Sequence, residues 1–141
     1  MLVREAMTQT VVTANPARSL RDIPVLMRER NVGSVVLVNG PRPVGFITDR
    51  DVALAVVADQ RDPAGRASDH ASTPVITAEP DMDVEEAADK MVRHGVRRLV
   101  VIEAGTLAGV VTLDDLTSRV GDRAADLSAR ITRPATPRAV S

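Results

Sequence analysis

The sequence predicts an α/β protein made of two tandem β-α-β-β-α repeats packed face to face through their sheets, and three observations carry that prediction. Sliding the sequence by 64 residues aligns 11–52 with 75–116 without a gap, and ten of the 42 pairs are identical, among them Thr13/Thr77, Gly45/Gly109, Thr48/Thr112 and Asp51/Asp115. Turn and cap residues stay in step across the two copies, giving each the same order of elements. A single copy of ~60 residues has too few helices to cover its sheet and is marginal alone, so pairing the copies is the economical way to bury that surface.

Each element has its own local signal. A short β-branched run, Val11-Val12-Thr13 or Val75-Ile76-Thr77, is stopped by Pro16 or Pro80. A helix follows, opened by a capping box from Ser19 to Asp22 in the first copy and from Asp83 to Glu86 in the second. Val84, Ala87, Ala88, Met91 and Val92 recur at helical spacing and mark the buried face. Pro24 falls inside the first helical pattern, so that helix starts late or kinks. Asn31 and Gly95, the two residue types that best accept a left-handed C-cap, end the helices at matching positions. Two strands come next, 35–38 with 44–48 and 99–102 with 107–112, each pair joined by a Gly-containing loop. A second helix closes each copy, from Asp49 to about Ala58 and from Leu113 to about Val120. The stretch 59–72, with Pro63 and Gly65, reads as a connector. The repeats thus take residues 1–64 and 65–127, and 128–141, with Pro134, Pro137 and three arginines but no apolar period, reads as a flexible tail.

Composition narrows the function. With 44% hydrophobic and 26% charged residues the chain folds as an ordinary globular protein, and a formal charge of −1 with interspersed signs offers no basic field for nucleic acid. Phe46 is the sole aromatic, which removes base stacking on aromatic platforms, so any ligand ring must lie between aliphatic side chains. The absence of cysteine excludes disulfides, thiolate metal sites and a Cys nucleophile. No apolar run approaches a ~20-residue membrane span, and the start MLVREAMTQT lacks a signal-peptide core, so a cytoplasmic location is expected.

The segment with chemical content is G-x-x-T-x-x-D, Gly45 to Asp51 and Gly109 to Asp115, where the last strand turns into the last helix. Unpaired N–H groups and the positive helix end suit a phosphate there, a Thr hydroxyl adds a hydrogen bond, and a carboxylate one turn on can accept two from a ribose diol. T-x-x-D is also an ordinary cap that needs no ligand, and the two roles are compatible.

These features resemble the cystathionine β-synthase (CBS) domain in the tandem form called a Bateman module, over roughly Arg4 to Asp126, including small stand-alone pairs of the hypoxic response protein type. The resemblance rests on Met7-Thr8, the Thr-Ala-x-Pro after each first strand, the Val-Arg-Arg-Leu-Val-Val-Ile run at 96–102 and both G-x-x-T-x-x-D segments. It implies a regulatory, non-catalytic module that binds AMP, ADP, ATP or S-adenosylmethionine in clefts between the repeats, pairs into a homodimer and acts through an effector protein. By the same resemblance Asp51 and Asp115 hold ribose hydroxyls and Thr48 and Thr112 meet phosphate. Thr13 and Thr77, with the backbone at Val12 and Ile76, line the base and phosphate edges, while Arg97 and Arg98 reach phosphate. The first copy has Gly33 and Ser34 in place of that arginine pair, which makes the two sites unequal.

Other readings are weaker. Arg97 and Arg98 also fit a solvated strand edge. His94 beside the Gly95 cap complements a helix C-terminus, His70 reads as solvent-exposed, and neither has metal-ligand spacing. Asp49, Asp51, Asp114 and Asp115 have no adjacent nucleophile and no Walker loop, which argues against an enzyme, and no cofactor is expected. A scaffold whose clefts stay empty and whose work is oligomerisation or protein contact is the alternative to a sensor.

Overall fold

The computed structural model describes residues 1–120; the expected tail at 128–141 and the stretch 121–127 lie outside the described residues. The chain divides into two compact units, each a three-stranded sheet with helices on one face. The first contains Thr10–Val75 with Ala104–Leu107; the second contains Met1–Gln9, Ile76–Glu103 and the described residues from Ala108 on.

In the first unit the order is β1 (Thr13–Ala14), α2 (Asp22–Arg30), β2 (Ser34–Asn39), β3 (Arg42–Thr48) and α3 (Asp49–Ala53), which runs on as a π-helical turn at Leu54–Ala58. A short α1 (Val3–Ala6) precedes these in the chain and belongs to the second unit. That unit continues with β4 (Thr77–Ala78), α4 (Val84–His94), β5 (Arg98–Glu103), β6 (Thr106–Thr112) and α5 (Leu113–Val120). The sheet orders are β1-β2-β3 and β4-β5-β6, with β1 parallel to β2, β4 parallel to β5, and β2 antiparallel to β3.

The expected elements stand where the local signals place them, with shifts at their ends. The first strands lie at 13–14 and 77–78, later than the β-branched runs, because only Thr13 and Ala14, or Thr77 and Ala78, meet a partner strand. α2 begins two positions later than its counterpart α4, leaving Pro24 in the first turn, where its missing N–H costs no hydrogen bond. The Ser19 hydroxyl still accepts from Asp22 N–H at 3.0 Å. Asp83 caps α4 through the Glu85 N–H at 2.9 Å, one residue earlier than a capping box requires. Asn31 and Gly95 adopt the left-handed conformation, φ 54° and 63°. The second helix of the first copy is not uniform, since α3 loosens into the π turn.

One feature is absent from the local signals. The segment leading each copy completes the other copy's unit, with hydrogen bonds repeated at a spacing of 64. Val3 N–H donates to the Met82 carbonyl (2.8 Å) as Ala67 N–H does to that of Arg18 (2.7 Å), and Arg4 to Pro80 (2.9 Å) as Ser68 to Pro16 (3.1 Å). Thr8 bridges Val110 on β6, and Ser72 bridges Phe46 on β3. Arg4 adds an ion pair with Asp81, whose carboxylate raises the guanidinium pKa. The presumed connector is therefore partly structural, with a 3-10 turn at Ala67–Asp69.

Each unit has its own core. Leu20, Ile23, Met27, Val35, Leu37 and Ile47 form the centre of the first, and Val3, Met91, Leu99, Val101, Val111 and Leu116 that of the second. Burial of such aliphatic side chains is the main stabilising contribution, ~1.5–3 kcal/mol for each.

Candidate functional site

Strand alternation separates the sheet's two faces. Ala14, Val35, Leu37 and Ile47 enter the first core from one face. The register Thr13↔Val36↔Phe46, with Ser34↔Thr48, puts Thr13, Val36, Phe46 and Thr48 on the other. The second sheet repeats this: Ala78, Leu99, Val101 and Val111 point into its core, while Thr77 is in register with Val100 on the opposite face. Thr13 therefore lies two strands from Phe46, ~10 Å across the sheet, and on the same face as Thr48. Thr13 is exposed and Thr77 half-buried.

At the end of that face the G-x-x-T-x-x-D segments form matching boxes. Asp51 N–H donates to Thr48 Oγ1 at 3.2 Å, and Thr48 N–H donates to Asp51 Oδ2 at 2.8 Å. In the second unit Asp115 N–H donates to Thr112 Oγ1 at 3.1 Å and Thr112 N–H to Asp115 Oδ2 at 2.8 Å. Both aspartates are half-buried at the helix start. Capping is thus a role these four residues have in the molecule itself. It uses one oxygen of each carboxylate, and a carboxylate has about four acceptor positions, so room remains for a diol.

The loop before the second strand is tied to the same place. Asp49 N–H donates to the Gly33 carbonyl at 3.0 Å, and Leu113 N–H to that of Arg97 at 2.8 Å. Arg97 and Arg98, both exposed, line a depression of about 50 Å³ with Thr112, Leu113 and Asp114. The structure therefore places the arginine pair and Thr112 on one small depression. That depression is too small to enclose a ligand by itself, since small-molecule sites run to ~300–1,000 Å³. In the first unit the equivalent loop is Gly33-Ser34 and a carboxylate fills the space: a Cβ on Gly33 would lie 3.3 Å from Asp49 Oδ2. The cation there sits on the helix as Arg50, where the second copy has Asp114.

The carbonyls of Val12 and Ile76 are committed to the sheets, accepting from Val36 and Val100 N–H at 3.0 Å each. Lys90, which sequence reasoning passes over, donates from Nζ to the Thr77 carbonyl at 2.6 Å and puts a cation beside Thr77. The only hint was the break in the repeat, where Leu26 stands in the first copy. His94 is exposed in the last turn of α4, and His70 is half-buried, its backbone N–H closing the 3-10 turn onto the Ala67 carbonyl at 3.0 Å. Among the described residues no group of acidic and histidine side chains is placed to hold a metal.

Known proteins share this arrangement. Residues 3–58 and 67–122 each match the CBS domain. The CBS domain-containing protein YhcV of Bacillus subtilis is 35% identical over 114 residues, 81% of each chain. Among solved structures, CBS domain protein PAE2072 from Pyrobaculum aerophilum, complexed with AMP, is similar with a TM-score of 0.77 at 30% identity, over 92% of this chain and 99% of that one. Hypoxic Response Protein I with two coordinated zinc ions is similar with a TM-score of 0.74 at 26% identity, over 86% of this chain and all of the other. With both repeats matched and the same two α/β units in the fold, the chain belongs to the CBS domain family as a tandem pair of CBS domains.

Proposed function

We propose that the protein is a regulatory module that binds an adenosine-containing ligand at its two Thr-Asp boxes and performs no catalysis. The observation that carries this reading is the duplicated box: the same Thr and Asp, in the same hydrogen-bonded geometry, at the end of the same sheet face in both repeats. A relative of nearly equal length was solved with AMP, which favours a nucleoside phosphate over other ligands. Asp51 and Asp115 would accept from ribose hydroxyls, Thr48 and Thr112 would meet phosphate, and Arg97 and Arg98 would add charge at the second site. Thr13 and Thr77, with the backbone at Val12 and Ile76, would bound the base. The module acts in the cytoplasm, as a homodimer, through an effector protein.

A thermal-denaturation panel tests this. AMP, ADP, ATP or S-adenosylmethionine at millimolar concentration should raise the melting temperature by mass action, with affinities in the micromolar to sub-millimolar range. No shift with any of the four would sink the sensor reading. The second reading, a scaffold with empty clefts, is favoured by one observation: the Thr and Asp of both boxes have a capping role within the chain itself.

A further inference from the structure

We propose that Asn39 is a site of spontaneous covalent modification, at which the Gly40 backbone nitrogen displaces the side-chain amide and leaves aspartate or isoaspartate at the tip of the first repeat's hairpin. β2 ends at Asn39 and β3 begins at Arg42, with the two residues in register, so Gly40 and Pro41 form the whole turn. Gly40 holds φ 62°, the positive value that the first position of such a turn needs and that glycine supplies without strain. Asn39 and Gly40 are both exposed, and nothing lies within 4 Å of where a Cβ on Gly40 would stand. Among the described residues the Gly40 N–H donates to no backbone carbonyl, and no hydrogen bond holds the Asn39 side-chain amide.

The step balances with water alone. The Gly40 nitrogen, its proton passed to solvent, bonds to Asn39 Cγ; the bond from Cγ to the side-chain nitrogen breaks and ammonia leaves, closing a cyclic imide. Water then opens the imide on one side or the other. Cleavage at Cγ restores the ordinary main chain with an aspartate, whereas cleavage at the main-chain carbonyl carbon leaves the chain running through Cβ and Cγ, as isoaspartate. One water is consumed, one ammonia is released and nothing is oxidised. Glycine is the successor that favours this attack, because no Cβ shields its nitrogen.

The two other asparagines of the chain are closed to the same attack. Asn15 precedes Pro16, whose nitrogen carries no hydrogen, and its Oδ1 accepts from the Ala17 N–H at 2.8 Å. Asn31 precedes the β-branched Val32, whose N–H already donates to the Met27 carbonyl at 2.9 Å. The repeat shows which product the hairpin accepts. The position 64 further on is Glu103, exposed at the same end of β5, so a carboxylate at this place is compatible with the fold, and an aspartate here would stand across from Arg42 with opposite charge. Isoaspartate has no such counterpart. Its extra main-chain carbon shifts the pairing with Arg42 and moves Pro41, whose carbonyl accepts from the Leu107 N–H at 3.3 Å.

Incubation of the full chain at physiological temperature in mildly alkaline buffer, followed by peptide mass mapping and enzymatic methylation of isoaspartate, tests the assignment. Asn39 should convert at a rate within about tenfold of that in the guanidinium-unfolded chain, since the turn reacts without prior opening. Asn15 and Asn31 should remain amides in the folded chain over the same time. Asn39→Gln, whose longer side chain closes a less favourable ring, should abolish the isoaspartate signal. The separated isoaspartate fraction should melt below the unmodified protein, and Asn39→Asp should not. A folded rate slower by more than about tenfold overturns the proposal, because the turn then protects Asn39. Conversion at Asn31 as fast as at Asn39 overturns the assignment to the hairpin, and an isoaspartate fraction that melts with the unmodified protein overturns its effect on strand pairing.

Discussion

At Gly109 an added Cβ would sit 2.6 Å from the Thr8 carbonyl oxygen and 3.0 Å from Met7 Sδ, inside any tolerable contact. At Gly45 the same atom would meet Ala71 and Thr73 at 3.4 Å, an ordinary van der Waals approach. Gly109 is therefore explained by the Thr8 segment crossing it, with no appeal to a ligand, whereas Gly45 is under no such constraint. Gly109→Ala should destabilise by ~1–3 kcal/mol, as overpacking against backbone does, while Gly45→Ala should stay within about 1 kcal/mol. Urea denaturation of the two variants checks this; equal effects would mean the Thr8 segment moves aside freely. The duplicated capping boxes were legible at this scale. Thr48, Asp51, Thr112 and Asp115 stood out because the repeat doubled them, and Arg97 and Arg98 line the same small depression as Thr112. Lys90 was not legible, since a lysine on a helix reads as solvated until a backbone carbonyl is found within its reach.

The elements were legible where the signal is local and illegible where it is not. Asn31 and Gly95 ended their helices because left-handed backbone selects those residue types, and the Pro24 position in the first turn follows from ring geometry. No local signal announces that Met1–Gln9 belongs with the second repeat, since backbone hydrogen bonds such as Val3 to Met82 and Thr8 to Val110 leave no side-chain pattern. Val3 and Ala6, the two apolar residues of α1, were too few to show a period. Yet this segment is held firmly: Val3 is fully buried in the second core and Ala6 nearly so. Val3→Ala should cost ~1–3 kcal/mol through lost apolar contact and the cavity left behind. The same change at the exposed Val57 should cost under about 0.5 kcal/mol of monomer stability. Denaturation curves showing Val3→Ala as mild as Val57→Ala would contradict the placement of the N-terminal segment.

For the molecule as a whole, the duplication states the central claim and also qualifies it. Two repeats carry the same Thr-Asp box, but Arg97 and Arg98 stand where the first repeat has Gly33 and Ser34, and Asp49 lies against the bare loop. A ligand bearing phosphate should therefore find unequal sites, the second favoured. If the aspartates only cap, Asp51→Asn or Asp115→Asn should lower stability by ~0.5–1 kcal/mol and leave ligand response unchanged. If they hold ribose, loss of the charge should weaken binding at that site by ~1.5–3 kcal/mol, about tenfold or more, with little loss of fold. Calorimetric titration of AMP into the unmodified protein and both single variants decides between these outcomes. The predicted result is micromolar to sub-millimolar binding, weakened in both variants and more so by Asp115→Asn. Isotherms identical in all three proteins, or no heat from the unmodified one, would contradict the assignment of these aspartates to a ligand.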